Sequence, residues 1–260
     1  MKIKFWLLDV NYEVKEHTPE VWLWGVDNSG NRVLVIDRNF LAYFYAVIED
    51  NADSTKVIEE IRAEKTQYPF ITRLEVVERK FFGKPVKAVK VYCGDPNFIS
   101  EYARAFRNFE GVKECLEDDI RYSMRYLIDN NVVPCGWHEI EVTEEANTLG
   151  VQIDKVYTAK SLPQFIEKAE APQLRILGFS AICYSKEGSP KPDRNPVVII
   201  SVATNKGEEK QFLAEDQNDK SVLEAFVSYV QNFDPDLKNG KWLEYQELNH
   251  LYQQQQYLFA

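Results

Sequence analysis

Five cations, Arg79, Lys80, Lys84, Lys87 and Lys90, fall within twelve residues, Arg79-Lys-Phe-Phe-Gly-Lys-Pro-Val-Lys-Ala-Val-Lys90, that contain no acid. The 260-residue chain carries a formal charge of -10, so this run reverses the local sign. Clustered cations on an acidic body offer a seat for an anionic polymer through phosphate contacts. The residues alone leave a second reading open, in which lysines on an edge hairpin only discourage strand-to-strand association. Nuclease chemistry would need anionic oxygens converging on two cations roughly 3.5–4 Å apart. The carboxylates available for it, Asp193, Glu215, Asp216, Glu224 and Asp234, are scattered over loops and helix faces. His17, His138 and His250 stand apart, and Cys93, Cys115, Cys135 and Cys183 include no Cys-x-x-Cys pair. No zinc site, other metal or cofactor is expected, and the cysteines read as buried thiols.

The elements that must position these groups follow from periodicity. Phe82-Gly83-Lys84-Pro85 interrupts two β-rich runs, Ile71–Glu78 and Val86–Tyr92, so the cations ride on a hairpin. Residues 3–12, Glu20–Asp27 and Arg32–Ile36 read as a meander of antiparallel strands, with a tight turn at Asn28–Asn31. Phe40–Val47 is a further strand, and Ser54–Glu64 is helical. Asp95-Pro96 starts a second helix, with the aspartate as cap and proline at the first helical position. Phe98, Ile99, Tyr102, Phe106 and Phe109 then form its core stripe. Residues 1–130 are thus expected to be one domain, a mixed antiparallel sheet with helices, and 131–260 a second. Short strands are expected at Trp137–Val142 and Val151–Tyr157. Leu174–Cys183 reads as a fully buried central strand. Val197–Ala203 and Gln211–Leu213 follow as strands, Val222–Phe233 as a helix stopped by Pro235, and Trp242–Leu258 as a surface helix or frayed tail. No run reaches the roughly 20 apolar residues of a membrane span, and the apolar run at the N-terminus is too short for a secretory signal, so a cytoplasmic protein without membrane contact is expected.

Four stretches, Leu8-Asp-Val-Asn-Tyr12, Asp37-Arg-Asn-Phe-Leu-Ala-Tyr-Phe-Tyr45, Lys80-Phe-Phe-Gly-Lys-Pro85 and Asp118-Asp-Ile-Arg-Tyr-Ser-Met-Arg-Tyr-Leu-Ile-Asp129, occur in an order and spacing that resembles the N-terminal domain of archaeal family B DNA polymerases. Leu174–Phe179 resembles the strand leading into that family's first exonuclease motif, and Phe233-Asp-Pro-Asp236 the turn before the second. The resemblance implies an α+β fold, in which the mixed antiparallel-sheet and helix domain precedes a truncated, RNase H-like α/β domain of the exonuclease type. The family's palm, fingers and thumb are expected to be absent from a chain of this length. Where the family has Phe-Asp-Ile-Glu, this chain has Phe179-Ser-Ala-Ile182, and Leu237–Lys241 replaces the second motif. A hydroxyl and a hydrocarbon at Ser180 and Ile182 cannot hold two metal ions. The implied domain is an inactivated nuclease, and the chain is not an enzyme.

The same resemblance implies a pocket for a deaminated base, lined by Tyr12, Ala42, Tyr43, Pro85, Val86, Ala88, Ile120 and Tyr122. Arg79, Lys80, Lys84, Lys87, Lys90 and Arg125 would then meet the DNA backbone. Ala42 replaces a proline of the family, Ala88 a larger β-branched residue and Tyr122 a phenylalanine. The first two changes enlarge the slot and the third partly refills it. Each residue also has a plainer reading: Tyr12 and Tyr43 as core or rim aromatics, Arg125 as a partner of Asp118 or Asp119, Pro85 as turn chemistry. The expected function is non-catalytic binding of single-stranded or template DNA, with a preference for uracil or another deaminated base, in replication or repair. The alternatives are an accessory subunit docking on a DNA polymerase or another replication or repair protein, and a residual nuclease with a rewired metal site.

Overall fold

Side-chain alternation builds the first sheet. β1 (Lys2–Lys15), β2 (Thr18–Asp27) and β3 (Arg32–Asp37) form the expected antiparallel meander. Asp27 accepts from the backbone N–H groups of Ser29 and Asn31 at 2.8 and 3.0 Å, which closes the turn between β2 and β3. The computed structural model describes residues 1–241 apart from 168–169, 186–187, 192–193 and 215–218. Asp193, Glu215, Asp216, His250 and the stretch Trp242–Leu258 therefore lie outside the described residues.

The chain divides into two units, Met1–Pro172 and Gln173–Ala260. This corrects the boundary expected at residue 130. β8 (Trp137–Glu145) pairs antiparallel with β1, from Lys2↔Glu141 to Trp6↔Trp137. β9 (Lys155–Ala159) pairs antiparallel with β8 and parallel with β3. The order β1-β2-β3-β9-β8, with β8 back on β1, closes a five-strand barrel of the OB type, and β10 (Gln164–Ile166) extends it beside β8. Residues 131–172 complete the first sheet because its open edges need partners, a requirement that no local pattern reveals. Phe5, Leu7, Val21, Leu23, Val33, Val35, Ile140 and Val142 join the main core from these strands.

Between β3 and β8 the chain inserts β4 (Ala42–Ile48), α1 (Ser54–Ala63), β5 (Ile71–Phe81), β6 (Lys84–Cys93), α2 (Ile99–Phe106) and β7 (Val112–Leu116). The order β5-β6-β4-β7 is that of a ferredoxin-like βαββαβ unit. Both helices start on aspartate caps. Asp53 accepts from the Thr55 N–H, and Asp95 from the Asn97 N–H through a short 3-10 turn at Pro96–Phe98 that leads into α2. Phe44, Ala46, Val89 and Val91 face the helices and pack with Val57, Ile61, Tyr102 and Phe106, all buried. The opposite face of the same sheet carries Tyr43, Tyr45, Val47, Ala88 and Tyr92. α3 (Tyr122–Asp129), a helix the periodicity did not announce, follows β7.

The second unit contains β11 (Ile176–Cys183), β12 (Val197–Thr204), β13 (Glu209–Leu213), α4 (Lys220–Phe233) and β14 (Leu237–Lys241). Its sheet order is β13-β12-β11-β14, antiparallel except for the parallel β11–β14 pair. Val222, Phe226 and Val230 of α4 pack with Leu177, Ala181, Ile200, Val202 and Phe212. The expectation that β11 is buried on both faces is corrected: Leu177 and Ala181 are covered, whereas Ile182 is 47% exposed. Among the described residues only one face of this sheet has a helix against it. No helix among the described residues is long and apolar enough to cross a membrane.

Candidate nucleic-acid interface

The basic run forms the hairpin that its turn chemistry required. β5 and β6 stay in register up to Phe81↔Lys84, leaving Phe82 and Gly83 as a two-residue turn with φ of 49° and 79°. Positive φ at both central positions defines a type I′ turn, whose twist matches the strands it joins. Directly opposed residues share a face, so the register divides the cations. Arg79, Lys84 and Lys90 point to the outer face with Tyr43 and Tyr45, while Lys80 and Lys87 point to the other. The ammonium of Lys90 lies 3.6 Å from the Tyr43 ring centre and 4.8 Å from that of Tyr92. The Arg79 guanidinium donates to the Tyr45 hydroxyl at 3.3 Å. These cations spread over an aromatic sheet face, in reach of solvent.

The residues expected to form one pocket are divided between two hollows. Tyr12, Ala42, Ile120, Tyr122 and Arg125 line a cleft of about 170 Å³, together with Pro96, Ile99, Ser100, Asp118, Asp119 and Arg121. Val86 and Ala88 line a second hollow of about 70 Å³ with Tyr45, Val47, Arg79 and Leu116. Tyr43 borders neither hollow, and Pro85 is exposed opposite Lys80 near the hairpin tip. In the larger cleft the Tyr12 and Tyr122 rings meet edge to face, 5.3 Å apart. The Tyr122 hydroxyl donates to the Phe40 carbonyl, which fixes that wall. Burial, with the charge of Asp37 adding to it, pushes the Tyr122 phenol far above its ordinary value, so the wall stays neutral.

Arg125 does not stand where a phosphate could reach it. Its guanidinium is bonded to the Glu117 carboxylate at 2.9 Å and to the Glu117 carbonyl at 3.0 Å, and it lies 4.1 Å from the Tyr43 ring centre. Only 4% of the residue is exposed. The expected backbone contact is therefore corrected: Arg125 belongs to the wall between the two hollows. Its partner is Glu117, whereas Asp118 is engaged by Arg107 at 3.0 Å. Tyr43 is held on the other side of this stack, donating to Asp129 at 2.7 Å. Burial first, and then that hydrogen bond, raise the Tyr43 phenol above its ordinary value. Sequence reasoning passed over Arg121, which is exposed at the rim of the larger cleft. Its signal was its position between Ile120 and Tyr122 in a motif already singled out.

In the second unit, the pairing Ser180↔Ser201↔Gln211 forms one row across the uncovered sheet face, and Ile182↔Ile199↔Leu213 forms the next. Phe179 points the other way, its ring 5.1 Å from that of Phe226 on α4. The strand thus aims Ser180 and Ile182 at open space. Gln211 donates to the Ser201 hydroxyl at 3.2 Å. Of the scattered carboxylates, Glu224 pairs with Lys220 at 3.7 Å and Asp234 with Arg175 at 3.1 Å. Among the described residues no group of three His, Cys, Asp or Glu side chains could hold a metal ion.

The model of the DNA polymerase family B exonuclease domain matches residues 114–215. DNA polymerase 3 of Saccharolobus shibatae is 35% identical over 233 residues, which is 90% of this chain and 30% of that protein. DNA polymerase 2 of Aeropyrum pernix is also 35% identical, over 92% of this chain and 30% of its own length. The solved structure of the family B DNA polymerase from Pyrobaculum calidifontis, 37% identical, superposes with a TM-score of 0.79 over 92% of this chain and 30% of its own. The chain is homologous to the N-terminal and exonuclease region of archaeal family B DNA polymerases. It spans about 30% of the length of these relatives. In this polymerase homologue, the strand that resembles the first exonuclease motif carries Ser180 and Ile182 on its open face.

Proposed function

We propose that the chain is a non-catalytic DNA-binding protein that holds one unpaired base of single-stranded DNA in the cleft between Tyr12, Ala42 and Tyr122. The observation that carries this reading is the cleft, about 170 Å³ with two tyrosines and two isoleucines in its lining. It is smaller than the roughly 300–1,000 Å³ of a site for a drug-sized ligand and suits a single ring. Asp119 and Arg121 are both exposed at its rim, so their charges oppose each other there and the hollow itself suits a neutral base. The phosphates of the strand are then carried by Arg121 and by the hairpin cations. Uracil or another deaminated base is preferred where an added methyl would strike the Tyr12–Tyr122 corner. Ser180 and Ile182 supply no metal ligand, which supports the absence of cleavage. The test is a fluorescence titration with uracil- and thymine-containing oligonucleotides. Tighter binding of uracil is expected, and equal affinities would remove the base-sensing part.

One observation favours a second reading, docking on a DNA polymerase or another replication or repair protein. Ile182 on β11 and Leu213 on β13 are 47% and 60% exposed, with Ile199 of the intervening β12 between them. Co-purification with a polymerase, combined with no measurable affinity for DNA, would establish this role in place of the first.

A further inference from the structure

The most exposed large apolar side chain among the described residues is Phe82, at 90%. It occupies the first central position of the hairpin turn, with φ at 49°. A bulky side chain in the left-handed region is an outlier, and type I′ turns strongly favour Asn-Gly or Asp-Gly at these two positions. Neither the local backbone nor burial therefore explains a phenylalanine here. The ring is held by one neighbour, Phe81, whose centre lies 4.6 Å away. The tip stands clear of the protein, since a Cβ added at Gly83 would meet nothing within 4 Å. Lys80 and Lys84 flank the turn and Lys87 follows three rungs down the hairpin, opposite Glu78. Phe81 also lines the smaller hollow, which ends at Leu116 and Glu117, just before the Asp118–Tyr122 segment that lines the larger cleft.

The geometry points to Phe82 as a stacking finger that lies against a second unpaired base of the same DNA strand, a few nucleotides from the base held in the cleft. The inference rests on the reading of the first unit as a DNA-binding body. Every base presents a π-face, so the contact is indifferent to sequence. The lysines on both faces of the hairpin bring phosphates to either side of the ring, and Phe81 supports it from behind. A strained aromatic at a solvated tip fits this use, because strain at a fixed position is retained where the position itself matters. A nucleic-acid strand uses both the apolar ring and the neighbouring lysines, one for a base and the others for phosphates.

Fluorescence anisotropy with a labelled single-stranded oligodeoxynucleotide tests the inference, using the full chain with Phe82→Asn and Phe82→Trp. Asparagine suits the turn, so Phe82→Asn is expected to melt at the same temperature or higher, and loss of fold cannot mimic loss of binding. Its affinity is expected to fall on the order of tenfold with an unchanged salt dependence. Phe82→Trp is expected to restore binding and to show indole quenching on addition of DNA. Normal binding by Phe82→Asn, or a weakened variant that Phe82→Trp fails to restore, would overturn the stacking role while leaving the cleft reading intact. A wild-type chain that binds no single-stranded DNA would overturn both together.

Discussion

The two units treat their exposed sheet surfaces in opposite ways. In the first, the outer face of β5-β6-β4-β7 is crowded with tyrosines under Lys90, Arg79 and Arg125, and a walled cleft opens beside it. In the second, the uncovered face of β13-β12-β11-β14 carries hydroxyls, an amide, aliphatic side chains and the carboxylate of Glu209. The difference teaches that backbone geometry and chemical equipment are separable: the second unit aims residues 180 and 182 into the open, and the groups aimed there are a hydroxyl and a hydrocarbon rather than carboxylates.

The largest effect expected from breaking this comparison is on affinity. Replacing Lys80, Lys84 and Lys87 together by alanine should weaken single-stranded DNA binding on the order of 100-fold at low salt. It should also flatten the log–log salt slope by about 0.7 per lysine. Equivalent alanine changes in the second unit, at Lys210 and Lys238, should leave anisotropy titrations unchanged. Next in size is Arg125→Met, which should lower stability by ~2 kcal/mol in denaturant melts by leaving Glu117 without its cation and the Tyr43 ring with Lys90 alone. Binding by the folded fraction should be preserved, while Arg121→Ala should do the reverse, weakening binding several-fold at unchanged stability. A converse change sharpens the picture from the other side. Ser180→Asp combined with Ile182→Glu should give the second unit a Mn²⁺-dependent stabilisation on the order of 1 kcal/mol, seen as a rise in Tm that the unaltered chain lacks.

The smallest expected effect is a pH dependence confined to the first unit. His138 is fully buried, accepting from the Val133 N–H at Nε2 and meeting the Gly136 carbonyl at Nδ1, which together require the neutral ring. Burial lowers its pKa below the ordinary value, against the opposing pull of the Gly136 bond. Its folded pKa being depressed, the stability it contributes is complete above the unfolded value of about 6.5 and is lost as pH falls below it. Hydrogen exchange between pH 7 and 5 should show the barrel strands β1 and β8 losing protection before β11 and β12 do. Among the described residues the second unit has no histidine.

Much of the local architecture was legible before any coordinates. Asp95-Pro96 capped its helix, Phe82-Gly83 turned its hairpin, and the Phe98–Phe109 stripe met the core, because caps, turns and periodic faces are decided by residues a few positions apart. The closure of the barrel was not legible, since β8 and β9 look like any short strands until their partners β1 and β3 are known. The candidate site divides along the same line. Tyr12, Ala42, Ile120, Tyr122 and the hairpin cations were all marked by type and motif. Whether those residues share a hollow depended on long-range packing. Arg125 found Glu117 and the Tyr43 ring within reach and became a wall, leaving Val86 and Ala88 on its far side. The chain's own sequence determined which groups could touch a base, a phosphate or a metal ion. Only the tertiary structure decided which of them face the same space, because desolvating a guanidinium requires an anionic partner and a ring to receive it, and those come from distant parts of the chain.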